Sequence, residues 1–112
     1  MKEFSGDVRR AYRIAELAPE LDLLIGADDV ALELALAGAK GWVAGYPNAL
    51  PAACAELYRA AVAGDLATAE PLYRQAPAAV LPPCRPPRVP LLPAQEAAVR
   101  AATEKALAAG LA

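Results

Sequence analysis

The sequence predicts an α/β fold in which short parallel strands each lead into a helix, within a chain that is mostly helical. Three stretches carry that prediction. Trp42-Val43-Ala44 is an apolar run between Gly41 and Gly45, too brief for a helix and bounded by breakers, so it reads as a buried strand. Leu21–Ile25 is a second compact apolar run, stopped by Gly26. The opening MKEFSGD places Lys2 at a strand end before a Ser-Gly-Asp turn. Helix-forming sequence follows each piece, and that alternation is the grammar of a parallel sheet.

In order, Ser5 and Asp7 are both competent helix caps. Val8, Ala11, Tyr12, Ala15 and Ala18 then recur at helical spacing, with Arg9, Arg10, Arg13 and Glu16 on the wetter side and Pro19 as the stop. The arginines read as a solvated face rather than an anion site. Asp28 and Asp29 stand where the next helix begins and favour its positive end. General acid–base work by this pair would need a cleft partner that the sequence does not display. Val30, Leu32, Leu34 and Leu36, interrupted by Glu33, make that helix apolar nearly all round, so it requires neighbours on more than one side. Gly38 ends it.

Gly38–Pro51, GAKGWVAGYPNALP, holds the third strand and a loop with Asn48, and proline at the first helical turn restarts the chain at Leu50–Pro51. Leu50, Cys54, Leu57, Tyr58 and Ala61 form one stripe, with Glu56 and Arg59 opposite. Gly64-Asp65 closes that helix and caps the next, marked by Leu66, Ala69 and Tyr73. Pro71 should kink it or limit its first turns. Six of the eleven prolines then fall in Pro82–Pro93, PPCRPPRVPLLP, which predicts an extended connector. A closing helix follows over Ala94–Ala109, with Val99, Ala102 and Ala106 as its stripe and Glu96–Arg100 and Arg100–Glu104 as i,i+4 pairs. The organisation is thus 1–80 as strand–helix units, 81–93 as connector and 94–112 as terminal helix.

Composition excludes several classes. At 112 residues the chain is one domain or part of one, and its net charge of −2 supplies no basic field for nucleic acid. Two cysteines without metal spacing, and no histidine, argue against a zinc site and a disulfide framework. No phosphate-cradling glycine loop appears, and no cofactor is expected. The longest charge-free run, Gly41–Ala55, contains two prolines and is too short to cross a bilayer. With no signal peptide visible either, a soluble, cytoplasmic protein without membrane or nucleic-acid partners is expected.

The lysine with its Ser-Gly-Asp turn, the strand ending Gly-x-Asp-Asp, and Gly-Ala-x-Gly with its Asn-x-x-Pro loop occur in one order and spacing. Together they resemble the C-terminal part of the dihydrodipicolinate synthase and N-acetylneuraminate lyase family, over most of Met1–Arg74 and again over Pro86–Leu111. That resemblance implies a partial TIM barrel, its last strand–helix units plus C-terminal helices, since a whole (β/α)₈ barrel takes about 250 residues. It implies Lys2 as the catalytic amine that forms an imine with pyruvate or another 2-oxo acid. It also implies Val43 as the strand position whose backbone carbonyl faces the oxo acid, and Asn48 as a loop-shaping residue beside it. A charged amine cannot attack; desolvation inside a closed barrel is what makes a lysine nucleophilic. The first five strand–helix units of the family are absent, the stretch between Arg74 and Pro86 is abridged, and GYPN replaces a commoner serine-containing stretch.

Three expectations follow. The first is the C-terminal portion of a Schiff-base lyase or synthase, inactive as an isolated chain. The second is a non-enzymatic helical remnant that associates with itself through apolar helices, because an unclosed sheet presents open edges. The third is a polyproline ligand displaying Pro87 and Pro90. Either of the first two predicts a homo-oligomer.

Overall fold

Three strands of two residues each pair side by side in the computed structural model, which describes residues 1–75 and 91–109. They are β1 (Lys2–Glu3), β2 (Leu24–Ile25) and β3 (Gly41–Trp42), all parallel, in the order β1-β2-β3. Parallel neighbours need a crossover between them. Helix α1 (Val8–Leu17) joins the first pair; a 3₁₀ turn (Asp28–Val30) and α2 (Ala31–Leu36) join the second. Pairing runs slightly past the strands, with the Leu24 N–H donating to the Met1 carbonyl and the Val43 N–H to the Ile25 carbonyl. Strand boundaries shift from expectation. Leu21, Asp22 and Leu23 precede β2. Strand β3 starts one residue earlier, at Gly41, and ends at Trp42, so Val43 and Ala44, expected within a buried strand, follow it and are exposed and half-buried respectively. The opening segment pairs as well, which gives three strands.

Local chemistry sets the ends of the helices. Asp7 rather than Ser5 caps α1, accepting from the Arg9 N–H at 3.0 Å, while Ser5 Oγ accepts from the Asp7 N–H at 3.1 Å. The Arg9 amide holds the Asp7 carboxyl below its ordinary range. Gly38, at φ 92°, turns the chain out of α2 in a conformation that costs other residues strain. Helix α3 (Tyr46–Ala49) is a single turn where a loop was expected, and α4 (Pro51–Val62) starts on its proline. Asp65 caps α5 (Leu66–Gln75) through the Thr68 N–H at 3.2 Å, and α5 continues past Pro71.

The core lies on one side of the sheet. Ile25, Leu34 and Leu57 are fully enclosed, and of the expected α4 stripe Leu50, Cys54, Leu57 and Ala61 are buried while Tyr58 is half-buried. Helix α2 is the hub, packing against β2, α1, α4 and α5, which answers its demand for several neighbours; only Leu36 of its leucines faces out. Two tyrosines fasten the layers. Tyr58 donates to the Ala39 carbonyl at 2.7 Å, and the Tyr73 hydroxyl lies between the Glu33 carboxylate (3.0 Å) and the Asp29 carbonyl.

The proline-rich connector and Cys84 fall almost wholly outside the described residues. The last helix, α6 (Pro93–Ala108), begins at Pro93, and its Glu96–Arg100 pair closes at 2.9 Å. Of its expected stripe, Val99 and Ala102 are half-buried, as is Thr103, and the Ala106 side chain lies outside what the structure describes. Among the described residues no helix is long and apolar enough to cross a membrane.

Candidate functional site

Side chains alternate across a strand, and the register then sorts the sheet into two faces. Glu3, Ile25 and Trp42 form one cross-strand row, toward the helices. Lys2, Leu24 and Gly41 form the other, on the face turned away from the core cluster. Lys2 is exposed there, its Nζ 5.1 Å from the centroid of the Phe4 ring, and Phe4 is itself 68% exposed. A Cβ on Gly26 would stand 2.8 Å from Lys2 Cε and 2.3 Å from the Glu3 carbonyl oxygen. Glycine is what lets the lysine stem lie across the end of β2.

Glu3, next to the lysine, is turned the other way and only 3% exposed. Its Oε1 accepts from the Ser5 N–H at 2.9 Å and lies 3.9 Å from Arg10 Nε. Its Oε2 has no partner among the described residues.

Val43 follows β3 and is 53% exposed, on the Lys2 face by alternation from Gly41. One strand separates it from Lys2, and it lies two residues beyond the Lys2 register, so their backbones stand about 12 Å apart. Asn48 lies on α3, exposed, and its side-chain amide donates to the Ala44 and Gly45 carbonyls at 3.2 and 3.3 Å. Those bonds shape the loop, and they leave the Asn48 amide turned onto its own backbone. Lys2 and Val43 thus share one face, while Asn48 lies in the first turn after the loop, bonded to the loop's own carbonyls.

A fourth residue organises this end of the sheet, and local spacing did not reveal it. Asp28 was read as a helix-start charge, yet its carboxylate reaches across to β3. Oδ1 accepts from Trp42 Nε1 (3.1 Å) and the Tyr46 N–H (3.2 Å), and Oδ2 from the Gly45 N–H (2.9 Å). Its charge is felt nearby. Burial, and then Asp28, push the Cys54 thiol up to about 11, and the Tyr46 hydroxyl is raised by burial and by the Asp28 and Asp29 carboxylates.

A parallel sheet with its core helices on one face has the form of an arc of a (β/α) barrel, which further strands would close. Solved barrels superpose accordingly. The chloride-inhibited dihydrodipicolinate synthase of Acinetobacter baumannii, complexed with pyruvate, matches with a TM-score of 0.77 at 26% identity, over 94% of this chain and 44% of that one. KD(P)GA from T. tenax matches in fold, with a TM-score of 0.76 at 21% identity over 96% and 46%.

The class is therefore a partial (β/α) barrel with a lysine on its inner face. Residues 1–82 match the model of the dihydrodipicolinate synthetase family, and the chain belongs to that family. The 4-hydroxy-tetrahydrodipicolinate synthase of Methylococcus capsulatus is 40% identical over 76 residues, covering 67% of this chain and 26% of the relative. That of Leptothrix cholodnii is 39% identical over 74 residues, covering 65% and 25%. The chain spans about a quarter of the length of these relatives.

Proposed function

We propose that this chain is the closing arc of an aldolase-type barrel that binds pyruvate or a related 2-oxo acid as an imine on Lys2. The observation that carries the reading is the Lys2 side chain, laid over Gly26 on the inner face of the sheet, on the same side as Val43. The Lys2 amine would attack the C2 carbonyl carbon, and water would leave as the C=N bond forms. Once protonated, the imine draws electrons from the adjacent carbon and permits a bond there to be made or broken. Val43 would offer its backbone to the substrate, and Asn48 would hold the loop. Pyruvate in the Acinetobacter baumannii complex supports the substrate class.

Activity requires the other strand–helix units. Lys2 is exposed in this chain, and a closed barrel wall would take the water away from it. The test is borohydride reduction in pyruvate of this chain assembled with the complementary units, followed by mass mapping. Hydride would convert the imine to a stable secondary amine on the peptide that contains Lys2. No adduct on that peptide ends the reading. A cytoplasmic location belongs to the same proposal.

A second reading is self-association, favoured by the exposed Phe4 and Val43 on a face that also ends in open strand edges. Sedimentation showing a dimer that survives dilution, with Trp42 emission indifferent to pyruvate, would favour it. A strictly monomeric folded chain would remove it.

A further inference from the structure

We infer that Asp28 is the positioning residue of the substrate loop, a carboxylate in the 3₁₀ turn after β2 that fixes where the chain after β3 places Val43 and Asn48. The inference deepens the imine reading and rests on it. Residues 43–45 connect β3 to α3, and backbone bonding to the sheet ends with the Val43 N–H on the Ile25 carbonyl. Beyond that bond, the Gly45 N–H and the Tyr46 N–H at the start of α3 are held by Asp28. The same carboxylate holds the Trp42 indole, which locks the last β3 side chain against the core. Three donors converge on two oxygens of one side chain, so the strand end and the start of α3 are set by a single charged group. Charge-assisted bonds of this kind are stronger than neutral ones.

Asp28 contributes no atom to the inner face. It acts through Val43, whose position relative to Lys2 depends on the loop that Asp28 pins. Tyr46, in the stretch where this sequence departs from its family's commoner pattern, is pinned by the same carboxylate. The Asp28 clamp accordingly sets how the oxo acid is seated while leaving the reactivity of Lys2 to the surrounding wall.

Asp28→Asn is the informative variant. Its carbonyl oxygen can still accept from Trp42 and Tyr46, but its NH₂ group faces the Gly45 N–H and cannot accept from it. Amide exchange on the variant chain should accelerate at Gly45 and Tyr46 while Ile25 and Leu34 keep their protection. In the barrel assembled with the complementary units, the pyruvate concentration for half-maximal borohydride trapping should rise roughly fivefold to tenfold, with the trapping rate at saturation within about twofold of wild type. Leu57→Ala, destabilised in the core away from the loop, should leave that concentration within about twofold, which separates positioning from mere loss of stability. A loosened loop with unchanged half-saturation overturns the inference and leaves the imine reading standing. Unchanged exchange at Gly45 and Tyr46 also overturns it. No adduct in the wild-type assembly removes the imine reading, and this role with it.

Discussion

Replacing Gly26 with alanine should prise β1 away from β2. An added Cβ would sit 2.3 Å from the Glu3 carbonyl oxygen, 2.9 Å from its carbonyl carbon and 2.8 Å from Lys2 Cε. Only the last can yield by rotating a flexible side chain; the other two are backbone, so the strands themselves must shift. Overpacking of this kind costs about 1–3 kcal/mol, and an unyielding backbone places Gly26→Ala toward the upper end. A small domain has only about 5–15 kcal/mol in total, so the loss should be plain in urea unfolding followed by Trp42 emission. With a urea slope of about 1–1.5 kcal/mol per molar, the midpoint should fall by roughly 1.5–2.5 M. Gly41→Ala is the matched control. Its Cβ would meet only Leu24 Cδ2, at 3.2 Å, and a leucine terminus can move, so its midpoint should fall by far less. A Gly26→Ala protein within about 0.5 kcal/mol of wild type would refute the close approach of β1 to β2.

Other outcomes follow from the packing and the titrating groups. Leu34→Ala should cost about 2–5 kcal/mol by chemical denaturation, since Leu34 is fully enclosed where α2 meets its neighbours. Tyr58→Phe removes the donor to the Ala39 carbonyl and should cost about 0.5–1.5 kcal/mol, leaving the emission of Trp42 unaltered. Stability should also decline in alkali. The Cys54 thiol is raised to about 11 and the Tyr46, Tyr58 and Tyr73 hydroxyls are raised, all chiefly by burial. Groups raised on folding favour the protonated native state. Their contribution is whole below the unfolded thiol value of about 8.5 and is lost as pH climbs through the folded values. Thermal unfolding between pH 8 and pH 11 checks the sign. At pH 8 the Cys54 peptide should also resist iodoacetamide in the native chain and react once unfolded.

Much of this protein was legible residue by residue. The three strand pieces, the stops at Gly38 and Gly64, the Asp65 cap and the buried stripe of α4 rest on local rules of periodicity and breaking, which act within a few residues. Family membership was legible for a related reason: motifs in fixed order and spacing survive in a single sequence. Strand limits were less so, because a two-residue strand is defined by its neighbour's hydrogen bonds and not by its own composition. Asn48 stood in the right place, but the turn of helix around it was not foreseen.

Tertiary structure decided the rest. Asp28 was visible as a charge at a helix start, but its three bonds join residues fourteen to eighteen positions away, a reach no local pattern encodes. Gly26 was visible as a strand stop, yet its necessity comes from β1 lying against it. Which face Lys2 takes is likewise a property of register, since shifting a strand by one residue exchanges its two faces. The sequence by itself determined which segments form and to which family they belong. The pairing of β1 with β2, and of β2 with β3, alone determined that Lys2 and Val43 share one side of the sheet, because contact across strands depends on distance in space and not along the chain.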